Sequence, residues 1–220
     1  MKKNELIERI EHEKLIVIVR GIENKYLIPM AEAMYAGGVR LLEVTYAADG
    51  SIPAEETARG IGRLKEHFGD RMSIGAGTVL TREQVELTAL AGGEFIISPD
   101  VCPEVIAETV KRGLVSIPGA QTPTEAQAAH RAGADFVKLF PVTSLGPAYV
   151  KAIRAPLSHI RFLAVGGIDE SNMRDYLRAG ICGFGIGSNI VKKDLIEAGD
   201  TDAVTALAKS FLASLREAGG

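Results

Sequence analysis

The sequence predicts an α/β fold, a single (β/α)8 TIM barrel spanning residues 1–220 and carrying an N-terminal helix. Three features lead there. Glycine-closed helix ends are followed, again and again, by a short apolar run. Eight such runs can be counted, and no linker or low-complexity tract divides them.

The repeated junction stands as Ala36-Gly37-Gly38 before Val39-Arg40-Leu41-Leu42, and as Ala91-Gly92-Gly93 before Glu94-Phe95-Ile96-Ile97. It returns as Arg112-Gly113 before Leu114-Val115, Ala132-Gly133 before Ala134-Asp135-Phe136-Val137, and Ala179-Gly180 before Ile181-Cys182. Glycine just past a helix takes the left-handed conformation cheaply, so the chain can reverse into a strand. Amphipathic segments such as Arg82 to Leu90 and Thr124 to Arg131 separate the junctions. Strands are expected to begin near Leu15, Val39, Met72, Phe95, Leu114, Asp135, Arg161 and Cys182. Their spacing, roughly 19 to 33 residues, is that of a strand-helix unit with short loops. Leu15-Ile16-Val17-Ile18-Val19 is apolar throughout, as suits a parallel sheet covered on its outer face. A doubly wound open sheet uses similar units. Eight of them, without a nucleotide-type glycine fingerprint after the first strand, favour closure.

Composition narrows the function classes. A net charge of −3 offers no basic footprint for nucleic acid and no cationic surface for membranes. No apolar run reaches the roughly 18 residues that span a bilayer. Met1-Lys2-Lys3-Asn4-Glu5 leads into a charged amphipathic stretch rather than an apolar signal core. Cys102 and Cys182 lie far apart and form no metal or redox motif, so a reduced cytoplasmic setting is expected.

In such barrels the chemistry gathers at the C-terminal ends of the strands. Those ends here carry Arg20, then Glu43 and Thr45, Gly75-Ala76-Gly77-Thr78, Lys138, Gly166-Gly167 and Gly185-Ile186-Gly187-Ser188. Alternation sharpens the expectation. Phe136, Lys138 and Phe140 share one face of the sixth predicted strand, while Val137 and Leu139 share the other. Lys138 is thus expected inside the barrel, where loss of solvent disfavours its charged form. A neutral amine is the form that attacks a ketone. The alternative is a lysine that snorkels outward or pairs with a carboxylate. Glu43 shares a face with Leu41 and Thr45, and reads either as a proton carrier or as a plain buried ion-pair partner. Thr45, Pro99 and Phe140 are expected to line the same pocket.

The glycines of the seventh and eighth units suggest an anion site on Gly166, Gly167, Gly187 and Ser188, with Gly187-Ser188 opening a short helix. Tight turns alone would also account for them. Arg20 reads as a carboxylate or phosphate clamp, or as a surface salt bridge. Thr78 reads as a substrate-carboxylate contact, or as a turn or cap residue. His12, His67, His130 and His159 cluster at no strand end, so no metal-ligand set is evident.

With these residues assembled, the chain resembles the 2-keto-3-deoxy-6-phosphogluconate aldolase / 4-hydroxy-2-oxoglutarate aldolase family over nearly its whole length. The landmarks are Ile18-Val19-Arg20, Leu42-Glu43-Val44-Thr45, Gly75-Ala76-Gly77-Thr78-Val79, Ile97-Ser98-Pro99, Lys138-Leu139-Phe140-Pro141 and Val165-Gly166-Gly167-Ile168. The resemblance implies a cofactor-free and metal-free class I aldolase, with a small keto-acid substrate and a homotrimeric assembly. It makes Lys138 the Schiff-base lysine, Glu43 the acid/base, Thr78 the carboxylate contact and the four loop residues the phosphate site, with Arg20 near the anionic substrate. Tyr46-Ala47-Ala48-Asp49 stands where some relatives carry an arginine, and Val165 where many carry a threonine. Ala164-Val165-Gly166-Gly167 looks like the branch acting on the galactonate-derived acid. Two rivals remain at this stage: a metal-free phosphosugar isomerase or epimerase, and a non-catalytic phosphosugar-binding protein.

Overall fold

Nine parallel strand segments alternate with helices around a nearly closed barrel in this computed structural model, which describes residues 2–219. The segments are β1 (Leu15–Val19), β2 (Leu41–Thr45), β3 (Ser73–Gly77), β4 (Phe95–Ile97), β5 (Val115–Ile117), β6 (Gly119–Ala120), β7 (Val137–Leu139), β8 (Phe162–Val165) and β9 (Gly183–Ile186). They pair in the order β5-β4-β3-β2-β1-β9-β8-β7-β6. The two ends of that order, β5 and β6, are joined through Pro118 alone. Proline has no N–H to give a ladder, so the fifth barrel strand breaks there. Eight expected strands thus become nine segments, most of them starting one or two residues later than the sequence suggested.

The helices are α1 (Lys3–Glu13), α2 (Asn24–Ala36), α3 (Ala54–Phe68), α4 (Arg82–Leu90), α5 (Pro103–Lys111), α6 (Pro123–Arg131), α7 (Gly146–Arg154), α8 (Met173–Arg178), α9 (Lys193–Glu197) and α10 (Thr201–Gly219). The junction glycines behave as their position demands: Gly38, Gly133 and Gly180 take φ of 104°, 101° and 97°. Among the described residues, no helix is long and apolar enough to cross a membrane.

Alternation divides the core in two. Val17, Leu42, Val44, Ile74 and Ala76 face outward and pack against the helix layer. Ile16, Leu41, Phe95, Val115, Phe136 and Leu163 face inward and fill the barrel. Leu6 and Ile10 of α1 join that inner cluster, so the N-terminal mouth is closed by a helix. Polar ties fix it there. Arg9 donates to Ser73 Oγ at 3.0 Å, and Lys3 pairs with Asp135 at 2.9 Å. The other mouth is left for the site.

Candidate active site

Two residues above the inner apolar layer, the same strand faces change character. Ile16 is followed inward by Ile18 and Arg20, Leu41 by Glu43, Phe136 by Lys138 and Phe140, and Leu163 by Val165. These residues surround a cavity of about 930 Å³, together with Thr78, Pro99, the Gly166–Asp169 loop and residues 185–189. Arg20, Glu43, Thr78, Pro99, Lys138, Phe140, Gly166, Gly167, Gly187 and Ser188, all singled out from the sequence, meet in this one space.

Thr45 does not. It borders a separate cavity of about 290 Å³ with Val19, Ile22, Val44 and Thr57. Val44 and Thr45 both reach that space although alternation assigns them to opposite faces. The pocket-lining expectation for Thr45 is therefore corrected.

Lys138 and Glu43 are buried at 7% and 2% exposure. Burial pushes the Lys138 ammonium below the ordinary lysine range; Glu43 opposes this and Arg20 adds to it. Burial pushes the Glu43 carboxyl up, against the pull of Lys138 and Arg20. Both groups thus move toward their neutral forms. The Lys138 Nζ sits 4.5 Å from the centre of the Phe140 ring, over its face. Glu43 owes its seat to Gly77, where an added Cβ would run into the carboxylate.

Thr78 follows at φ 54°, a left-handed conformation that a β-branched residue adopts only under strain. Arg20 Nη2 donates to its hydroxyl at 3.3 Å, so an exposed guanidinium and a strained threonine form one rim of the cavity. The cap of α4 is Thr81, which accepts from Gln84 N–H. That leaves Thr78 free of a capping role.

Across the cavity, the loops after β8 and β9 face each other. Gly187 and Ser188 open a single turn, closed by Ile190 and Val191 N–H donating to the Gly187 carbonyl at 3.0 and 2.9 Å. This replaces the short helix expected there, because the chain runs on through Lys192 before α9 begins. Among the described residues, the N–H groups of Gly167, Ile168, Ser188 and Asn189 have no acceptor. Four such donors beside one cavity suit an anion. Asp169 and Asn189 also line the space and were not singled out from the sequence. Nothing in a lone Asp or Asn after a glycine turn marks it as facing inward. Ile18 was within reach, since it shares the face of Arg20.

A protein-family model described as KDPG and KHG aldolase matches residues 6–207. The chain belongs to that family. This aldolase, a carbon–carbon lyase, is 40% identical over 187 residues to a probable 2-dehydro-3-deoxy-6-phosphogalactonate aldolase of Rhizobium meliloti, covering 84% of this chain and 85% of the relative. A solved structure described as native KDPGal superposes with a TM-score of 0.84 at 35% identity, over 93% of this chain and 95% of that one. KDPG aldolase from Legionella pneumophila, solved with pyruvate captured as a covalent carbinolamine, gives 0.80 at 30% identity, over 90% and 93%. Membership in an aldolase family leaves the isomerase and binding-protein readings without support.

Proposed function

We propose that this aldolase reversibly cleaves a 2-keto-3-deoxy-6-phospho sugar acid of the galactonate type to pyruvate and glyceraldehyde 3-phosphate through a Schiff base on Lys138. The gluconate-type acid and 4-hydroxy-2-oxoglutarate, which would release glyoxylate, are the competing substrates. One observation carries the reading: a buried lysine with a depressed pKa shares a single cavity with a buried carboxyl whose pKa is raised.

The chemistry follows from those two shifts. Neutral Lys138 attacks the C2 ketone and forms a carbinolamine. Glu43, holding its proton, protonates the carbinolamine hydroxyl so that it leaves as water. The resulting cationic imine draws electrons from the breaking C3–C4 bond, while the Glu43 carboxylate takes the proton of the C4 hydroxyl. An aldehyde departs and an enamine remains. Glu43 returns the proton to C3, and water hydrolyses the imine to pyruvate and free Lys138. Arg20 and Thr78 are suited to the substrate carboxylate, and the unpaired N–H groups on the far side to its phosphate. The pyruvate carbinolamine in the Legionella relative and the galactonate-type names of the other two support this assignment.

Borohydride reduction in the presence of pyruvate tests it. The expected product carries the mass addition on Lys138. Addition at another residue, or no addition, overturns the imine. A coupled assay of pyruvate release across the three substrates ranks them, and the galactonate-type acid is expected first. A homotrimer in a cytoplasmic setting belongs to the same proposal, and light scattering of the purified protein tests the trimer.

A further inference from the structure

Gly166 and Gly167 leave β8 with φ of 92° and 73°, which turns the following peptides sharply. Two asparagines from outside that turn take hold of it. Asn172 lies behind the loop, away from the cavity lining. Its Nδ2 donates to the Gly167 carbonyl at 2.8 Å, and its Oδ1 accepts from the Asp169 N–H at 3.1 Å. Asn189 comes from the turn after β9. Its Nδ2 donates to the Ile168 carbonyl at 3.1 Å and so ties the two loops together.

A trans peptide points its carbonyl and its N–H in opposite directions. Holding the Gly167 carbonyl back toward Asn172 therefore turns the Ile168 N–H the other way, to the side where Gly167 and Ile168 line the cavity. The neighbouring N–H of Asp169 is already taken by Asn172. The Asp169 carboxylate, which also lines the cavity, accepts from the Ser171 hydroxyl and N–H. These bonds hold the Asp169 carboxyl below its ordinary range and fix it to its own turn.

We propose that Asn172 is a positioning residue for a phosphomonoester site, fixing the 167–169 peptides, which Asn189 ties to the neighbouring loop, so that the Ile168 N–H donates into the cavity; this rests on the phosphosugar-acid reading above. The Asn172 side chain neither moves a proton nor touches the reacting carbons. Its loss therefore acts on phosphate recognition and leaves the imine chemistry intact.

Asn172→Ala, assayed with the phosphorylated acid and with 4-hydroxy-2-oxoglutarate, supplies the test. One lost hydrogen bond that orients a donor toward a charged group predicts a KM rise of about 5- to 10-fold for the phosphorylated substrate. The kcat, and the KM for 4-hydroxy-2-oxoglutarate, stay unchanged. Inorganic phosphate, as a competitive inhibitor, weakens in parallel. If Asn172→Ala does not fold, Asn172→Asp keeps the shape and the acceptor for Asp169 while removing the donor, and the same KM split is expected. Equal changes with both substrates, or none with either, overturn the positioning role while leaving the phosphosugar reading in place. A wild-type protein that neither prefers the phosphorylated acid nor responds to phosphate overturns both.

Discussion

At one mouth of this barrel, α1 lays Leu6 and Ile10 onto Ile16, Leu41, Phe136 and Leu163. At the other, the same strands present Ile18, Glu43, Lys138 and Val165 to an open cavity. The two layers lie a single side-chain step apart along each strand, yet one is a dry plug and the other buries two ionisable groups. The plug gains stability from every apolar atom it removes from water. The upper layer costs stability, because an amine and a carboxyl held away from water are driven toward neutrality. That cost is the source of the proposed reactivity. Stability and activity should therefore respond to different residues, and the predictions below test that separation.

The largest effect is expected at the upper layer. Lys138→Met should lower pyruvate release by about 10³-fold or more, since nothing else in the cavity supplies a nucleophilic amine. Its thermal midpoint should hardly move, because methionine keeps much of the buried volume and spares the cost of holding a polar amine away from water. Residual turnover near the wild-type rate would break the comparison at its strongest point.

Glu43→Gln should lower kcat by about 10²- to 10⁴-fold, the range of a lost general acid–base. It should also expose the stability cost. The folded protein holds the Glu43 proton at pH values where the unfolded chain has lost it. The stabilisation from that proton is fully present below the ordinary carboxylate value, about 4.3, and is lost as pH rises through the raised folded value. Glutamine has no such dependence. Denaturant titrations at acid and neutral pH should therefore show the variant gaining on wild type as pH rises. Parallel curves would mean that Glu43 is not held neutral.

The lower layer should show the reverse pattern. Leu6→Ala removes a side chain that is 2% exposed from the barrel plug and should cost about 2–5 kcal/mol of stability. At temperatures where the variant remains folded, kcat and KM should match wild type. A changed KM would show that the plug shapes the cavity above it.

Much of this contrast was legible in the sequence, because strand alternation is a local property. It placed Lys138 between two inward aromatic residues and put Glu43 on one face with Leu41, while Arg20 stood out by its position at the end of an apolar strand. It did not anticipate that Thr45 borders the smaller cavity instead of the larger one. It also missed the break at Pro118, since a proline after Ser116-Ile117 reads equally well as the end of a strand. Asn172 and Asn189 act through backbone carbonyls that only the folded loops bring within reach. No pattern of residue types signals such partners. Likewise, a turn and a short helix after Gly187 begin with the same residues, and tertiary context decides how far the helix runs.

The smallest predicted effect concerns Thr78, where the two layers' logics meet in one residue. Its φ of 54° is a backbone cost of about 1–3 kcal/mol for a β-branched side chain. Its hydroxyl, which accepts from Arg20, lies at the cavity rim. If the strain serves the site, then Thr78→Gly should relieve it. Glycine accepts the left-handed conformation but gives up backbone entropy, so the net gain should be near 1 kcal/mol. The same change removes the hydroxyl from the proposed carboxylate subsite, and KM should rise with kcat largely kept. A variant that is more stable and binds substrate less well identifies the strain as functional. One that loses stability shows instead that the Arg20–Thr78 contact holds the rim together, and that the upper layer contributes to the fold after all.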